Sequence, residues 1–295
     1  MKLVAPERLN ARRSLGVKGA AILLCLAGAL TGCSTFEQFN PFQGEKYHTE
    51  IVADVPPSKI YDQGLAKIAN GAPKEAAEKF TDLGKQYPSS DWARKGLLMT
   101  TYADYTAGEY ADAETSAERY IKEYPKSDEA AYVLYLEASS YYAQILDISR
   151  DQDYALKALQ LYEKVVHDYP KSEYVEDSKF KIQVTGDQLA GKEMSIGRFY
   201  LNRRNYTAAI NRFRIVLATY QTTRHAPEAL YRLTEAYLGL GLTDEAETAA
   251  AVLGHNFPDS EWYKDAYSLL KSGGHAPQEH PDSWMTKIYH TIIPS

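Results

Sequence analysis

Cysteine is almost absent. Two among 295 residues are too few for a disulfide framework. Long apolar runs are missing as well. Ala20 to Leu30 is a run of eleven, where a spanning helix needs about 20. Proline and glycine, 13 and 18 residues, fall mostly at turns and are too few for general disorder. No nucleophile constellation is present, and the seven His are scattered. None joins a Cys or carboxylate at ligand spacing, and His275 and His280 lie in a C-terminal tail that is not read as a metal site. Gly191-Lys192 lacks the rest of a phosphate loop, and Gly239-Leu240-Gly241 is better read as a helix-ending turn. The sequence therefore names no catalytic residue, no metal and no cofactor.

What is abundant is repetition. Tyr87-Pro88-Ser89-Ser90, Tyr124-Pro125-Lys126-Ser127, Tyr169-Pro170-Lys171-Ser172 and Phe257-Pro258-Asp259-Ser260 share one pattern: an aromatic, Pro, any residue, Ser. Pro88 to Pro125 is 37 residues, Pro125 to Pro170 is 45, and the 88 from Pro170 to Pro258 leave room for one more copy. Tyr220-Gln221-Thr222-Thr223 fills it without the Pro. An Ala stands twelve residues before each Pro or its Gln substitute: Ala76, Ala113, Ala158, Ala209 and Ala246. Four residues further come Phe80, Ala117, Tyr162, Phe213 and Ala250. That is the apolar face of a helix and not a strand alternation. Pro is expected to stop each such helix, and the Ser to N-cap the next. A period of this size signals a solenoid of helical hairpins.

The repeat resembles the tetratricopeptide repeat, with Gly71, Ala76, Phe80 and Pro88 in one copy and Gly241, Ala246, Ala250 and Pro258 in another. The resemblance implies an all-α fold: a right-handed superhelix of five helical hairpins with a C-terminal capping helix over 259–272, the solenoid occupying 57–272. Its first helices are expected over Trp92–Thr106 in the second hairpin, Glu129–Ser149 in the third and Glu173 to about Arg203 in the fourth. Gly186, Gly191 and Gly197 fall inside the last of these, each costing about 1 kcal/mol relative to Ala, so a bend or break is expected there. Residues 273–295 read as a flexible tail.

Residues 1–32 are not read as structure. Lys2, Arg8, Arg12, Arg13 and Lys18 precede the apolar run, and Leu30-Thr31-Gly32-Cys33 follows it. This resembles the bacterial lipobox, which implies cleavage before Cys33 and acylation of its thiol. Ser34, not Asp, follows the Cys, which by the lipoprotein sorting rule implies the outer membrane. Residues 33–56, with Phe36, Phe39, Phe42 and Pro56-Pro57, read as an extended tether. Five basic and one acidic residue leave with 1–32, so the formal charge of −6 becomes −10, which argues against nucleic acid as a partner.

Two surfaces stand out on the solenoid. Nine of the 24 Tyr lie in the stretch from Tyr102 to Tyr142 inclusive. Tyr offers an apolar face and a hydroxyl, which suits a surface gripping an extended peptide, and Tyr102, Tyr105, Tyr132, Tyr135 and Tyr142 are the candidates. Core packing accounts for some of these. From Lys179 to Arg232 there are ten basic and three acidic residues, either a solvated face or a docking surface for an acidic partner. Arg198, Arg203 and Arg204 are the candidates for docking.

With the lipobox and five repeats, the segments Asp187 to Met194, Gly197 to Leu201 and Tyr206 to Phe213 resemble the BamD family of outer-membrane protein assembly factors. The resemblance implies a lipid-anchored scaffold on the periplasmic face of the Gram-negative outer membrane. Its implied partners are BamA, through a POTRA domain, other Bam lipoproteins, and the C-terminal strands of nascent outer-membrane proteins. A pilotin-like lipoprotein assisting secretin assembly and a periplasmic regulator of cell-wall enzymes remain alternatives from the residues alone.

Overall fold

The computed structural model describes residues 55–148 and 150–287. The segment 1–32, Cys33 and the tether to Asp54 lie outside these residues. Within them the chain forms five hairpins: α1 (Pro57–Ala69) with α2 (Pro73–Gln86), α3 (Asp91–Ala107) with α4 (Tyr110–Glu123), α5 (Ala130–Ala143) with α6 (Asp153–Asp168), α7 (Val175–Asn202) with α8 (Tyr206–Thr219), and α9 (Ala226–Gly239) with α10 (Thr243–Asn256). A closing helix, α11 (Glu261–Ser272), follows. Each helix packs on its neighbours in sequence, and first helices also touch the next first helix at α1–α3, α3–α5, α7–α9 and α9–α11. No helix among the described residues is long and apolar enough to cross a membrane.

The second helices carry the core. Ala76, Phe80 and Leu83 of α2 are fully buried, and so are Ala113, Ala117 and Tyr120, Ala158, Tyr162 and Val165, Ala209, Phe213 and Val216, and Ala246, Ala250 and Leu253. The small residue in each triplet lets a first helix approach, and the larger ones fill the space behind it. The closing helix buries Ala266 and Leu270 against the last hairpin, covering an end that would otherwise expose core.

The aromatic, not the Pro, is the stop position. Tyr87, Tyr124, Tyr169 and Phe257 have φ between −137° and −127° and ψ between 50° and 57°. Tyr220, which precedes Gln221, has φ −126° and ψ 35°. In all five copies the N–H three residues on, from Ser90, Ser127, Ser172, Thr223 or Ser260, returns to the aromatic carbonyl. Each is thus a four-residue turn whose second position favours Pro without requiring it. The hydroxyls do not all cap the next helix. Ser90 accepts from the Ala93 amide at 3.3 Å and Ser260 from the Trp262 amide at 3.2 Å. Ser172 instead takes the Tyr174 amide, ahead of α7, and Ser127 meets the Tyr120 hydroxyl at 3.0 Å.

Three further differences concern the first helices and the tail. The helix of the third hairpin ends at Ala143, short of Ser149. There the Gln144 side chain donates to the Ser140 carbonyl at 3.0 Å and to Glu114 at 2.6 Å. The long helix of the fourth hairpin is continuous over 28 residues, and at Gly197 the missing side chain lets another helix approach closely. A Cβ on Gly197 would lie 2.4 Å from the Phe213 ring, and one on Gly191 would lie 3.4 Å from His225. The segment after Gly274 is not free of the solenoid up to residue 287. Met285 is fully buried, Trp284 donates to the Tyr237 hydroxyl at 3.0 Å, and Ser283 donates to Glu245 at 2.7 Å.

Candidate functional site

The aromatic surface is built where one first helix meets the next. The rings of Tyr132 and Tyr135 on α5 stack on Tyr174, at 5.0 and 5.1 Å between centroids. Tyr174 precedes α7, and one turn later Asp177 accepts the Tyr135 hydroxyl at 2.6 Å. Tyr102 and Tyr105 of α3 border the same cluster. Burial first, and the neighbouring phenols of Tyr174, Tyr102 and Tyr105 second, push the Tyr132 hydroxyl up to about 12. Burial and the Asp177 carboxylate do the same for Tyr135, also to about 12. These phenols stay neutral donors at any physiological pH. Tyr142 stands two turns further along α5, edge-on to Tyr162 at 6.2 Å and beneath the Lys181 ammonium at 4.3 Å. The structure therefore brings Tyr132 and Tyr135 together on Tyr174, with Tyr102 and Tyr105 on the adjacent first helix α3, which touches α5, and Tyr142 at the far end of α5. All five are half-buried, so each gives part of its face to packing and part to solvent.

Tyr174 and Asp177 escaped the sequence analysis, although a signal was present. An aromatic stands four residues after the Pro at Trp92, Tyr174 and Trp262. Each of these packs on an aromatic of the preceding first helix: Trp92 on Tyr61 at 5.6 Å, Tyr174 on Tyr132, and Trp262 on Tyr231 at 5.4 Å. The result is a recurrent aromatic joint between hairpins, worth about 0.5–1.5 kcal/mol per pair beyond area burial.

The basic block is largely neutralised inside the chain. Arg198 reaches across to α9 and binds Glu228 with two bonds of 3.0 Å, and Arg232 shares that carboxylate and takes Glu235. Arg212 pairs with Glu193, Arg224 with Asp187 and Lys179 with Glu176. Arg214 lies over the Trp284 ring. Arg203 and Arg204 differ. Both are exposed, and neither has an acidic partner among the described residues. They form the turn from α7 to α8, with Asn205 capping α8 through the Ala208 amide. The Arg203 guanidinium rests 3.8 Å from the centre of the Phe199 ring, and that ring is 48 % exposed. Arg198, by contrast, is held by Glu228 and serves the joint between hairpins.

Arg204 also carries the backbone oddity of the chain. The turns after α1, α3 and α9 place Gly71, Gly108 and Gly241 at φ 73°, 78° and 74°. In each, the next amide bonds back to a carbonyl five residues earlier: Ala72 to Lys67, Glu109 to Asp104, Leu242 to Tyr237. This left-handed helix end is glycine's position. The fourth hairpin makes the same bond, Asn205 to Tyr200, with Arg204 at φ 58°. Arg204 is the one non-glycine residue with positive φ among the described residues. Strain of this kind persists where the surrounding structure holds it, here through the Asn205-to-Tyr200 bond of the turn.

Comparison with known proteins gives these features a context. The family described as "YfiO: Outer membrane lipoprotein" matches residues 53–253. A Caulobacter vibrioides protein named outer membrane protein assembly factor BamD is 42% identical over 262 residues, covering 89% of this chain and 83% of its own. A Rickettsia prowazekii protein of the same name is 40% identical over 250 residues, covering 85% of this chain and 95% of its own. One from Xylella fastidiosa, also so named, is 29% identical over 254 residues, covering 83% of this chain and 84% of its own. With the match spanning all but the last turn of the repeat array and two relatives at 40% or above, the chain belongs to the YfiO family of outer membrane lipoproteins, together with the BamD assembly factors.

Proposed function

We propose that this chain is an assembly factor for outer-membrane proteins that acts as a scaffold with two working surfaces. The relatives' names and the family support the role in assembly and the membership of a complex with partner proteins. The protein is anchored through acylated Cys33 to the periplasmic face of the outer membrane. The face carrying Tyr102, Tyr105, Tyr132, Tyr135 and Tyr142 receives the C-terminal strands of nascent outer-membrane proteins. The exposed turn of the fourth hairpin, Arg203 and Arg204, docks on an acidic patch of a POTRA domain of BamA, with other Bam lipoproteins alongside.

The observation that carries this is the division of labour between the two halves. The N-terminal hairpins leave neutral, half-buried phenols in a row along consecutive first helices, suited to an extended aromatic strand. In the fourth hairpin Lys179, Arg198 and Arg212 pair with carboxylates and Arg214 lies over the Trp284 ring, while at the exposed turn two guanidiniums without an acidic partner among the described residues can each grip a carboxylate with parallel hydrogen bonds. No group in either place is arranged as a nucleophile with a base.

The test is crosslinking from a peptide that ends in alternating aromatics, as a final barrel strand does. Photoreactive groups in the peptide should label the first three hairpins, and Tyr132→Ala with Tyr135→Ala should weaken the labelling. Labelling confined to residues beyond Lys192 would overturn the assignment of the peptide surface.

A further inference from the structure

The segment after α11 turns at Gly274 and runs back across the start of α10. The Gln278 amide donates to the Glu247 carbonyl at 3.4 Å, and the His280 amide donates to Thr248 Oγ1 at 3.2 Å. Two imidazoles are thereby delivered to one carboxylate. His275 Nδ1 lies 3.1 Å from Glu247 Oε1, and His280 Nε2 lies 3.2 Å from Glu247 Oε2. Asp244 stands one turn earlier on α10, and an oxygen of Asp244, an oxygen of Glu247 and a ring nitrogen of His280 all lie within 4.8 Å of one another. Glu245 is turned the other way, towards Ser283.

We propose that Asp244, Glu247 and His280 bind a divalent transition-metal ion of the zinc class, and that the ion clamps the C-terminal segment to the fifth hairpin. Three arguments support this. The first is distance. Bonds of about 2.0–2.1 Å in a tetrahedron put two ligand atoms roughly 3.3 Å apart, and the His280–Glu247 separation of 3.2 Å is already close to that edge. The second is support from the surroundings. Metal-binding groups are held by partners of their own. Here His275 fixes one oxygen of Glu247 and leaves the other for the ion, while Thr248 fixes the backbone of His280. The third is ligand chemistry. An imidazole with two carboxylates suits zinc, nickel or copper, whereas calcium and magnesium prefer all-oxygen sets of six or more. Asp244 is exposed, so water can complete the coordination.

Neither sequence spacing nor composition points here, because His280 is 33 residues from Glu247. The experiment is calorimetric titration of zinc chloride into the purified chain from residue 33 onward, with Cys33→Ser so that no thiol competes. One ion per chain with a Kd in the micromolar range or tighter is expected. His280→Gln and Glu247→Gln should each weaken binding about tenfold or more, and His255→Gln, an exposed histidine at the other end of α10, should not. Zinc should also slow tryptic release of the chain beyond Lys271 in the parent but not in His280→Gln. Absence of zinc binding, equal binding by His280→Gln, or an equal loss in His255→Gln would overturn the site.

Discussion

Replacing Arg204 by Gly should make the protein more stable and a poorer partner for BamA. Among the described residues, Arg204 alone holds a left-handed φ, 58°, without being glycine. An L-residue in that region costs about 1–2 kcal/mol. Glycine removes that cost but gives the unfolded chain more freedom, which returns roughly 0.4–1 kcal/mol. The net gain is therefore about 0.5–1 kcal/mol, or about 1–3 °C in Tm for a domain of this size. Arg204→Ala keeps the strained φ and removes only an exposed side chain, so it should stay within about 0.5 kcal/mol of the parent. Both variants lose one of the two unpaired guanidiniums at the turn and should bind the periplasmic domains of BamA more weakly. On the proposed docking Arg203→Glu should lose more, because it would reverse a charge set against a carboxylate of the partner. Its stacking on Phe199, worth about 0.5–1 kcal/mol at an exposed site, is lost too, so circular dichroism melts must accompany the binding curves. Raised salt should mimic part of the loss in the parent, since rim charges are screened. A lower Tm for Arg204→Gly than for the parent would refute the strain argument. Parental binding by both Arg204→Gly and Arg203→Glu would show the turn to be only solvated surface.

Gly197→Ala should destabilise by about 1–2 kcal/mol in urea unfolding, because overpacking against the fully buried Phe213 ring outweighs the better helix propensity of Ala; equal stability would mean that the ring has room to move. Glu137 is 4 % exposed, and burial, then Glu118, pushes its carboxyl up to about 7. Since the folded chain holds that proton longer than the unfolded one, stability should fall as pH rises from about 4.5 to 7. The loss should be on the order of 2–3 kcal/mol. Glu137→Gln should flatten the profile, and an unchanged slope would count against this assignment. Cys33→Ala should abolish incorporation of labelled fatty acid and release the protein from membranes; an unlabelled parent that still resists high salt would rule out the lipid.

The register of the solenoid is legible in the sequence because it is written at helical spacing. The triplets from Ala76-Phe80-Leu83 to Ala246-Ala250-Leu253 recur at fixed distance from the aromatic that ends each second helix, and burial follows at every position. Three of the hairpin turns carry the same kind of local signal, glycines at left-handed positions after α1, α3 and α9. What the sequence left open depends on residues that meet only after hairpins stack. Arg198 lies 30 positions from Glu228, Tyr135 lies 42 from Asp177, and Trp284 lies 47 from Tyr237. A basic block cannot show which of its cations are already paired, nor a tail that it folds back onto α10. A helical period states which face of each helix is buried. The tilt and shift between successive hairpins decide which side chains on the remaining faces come within bonding distance, and those are set by packing across the whole stack.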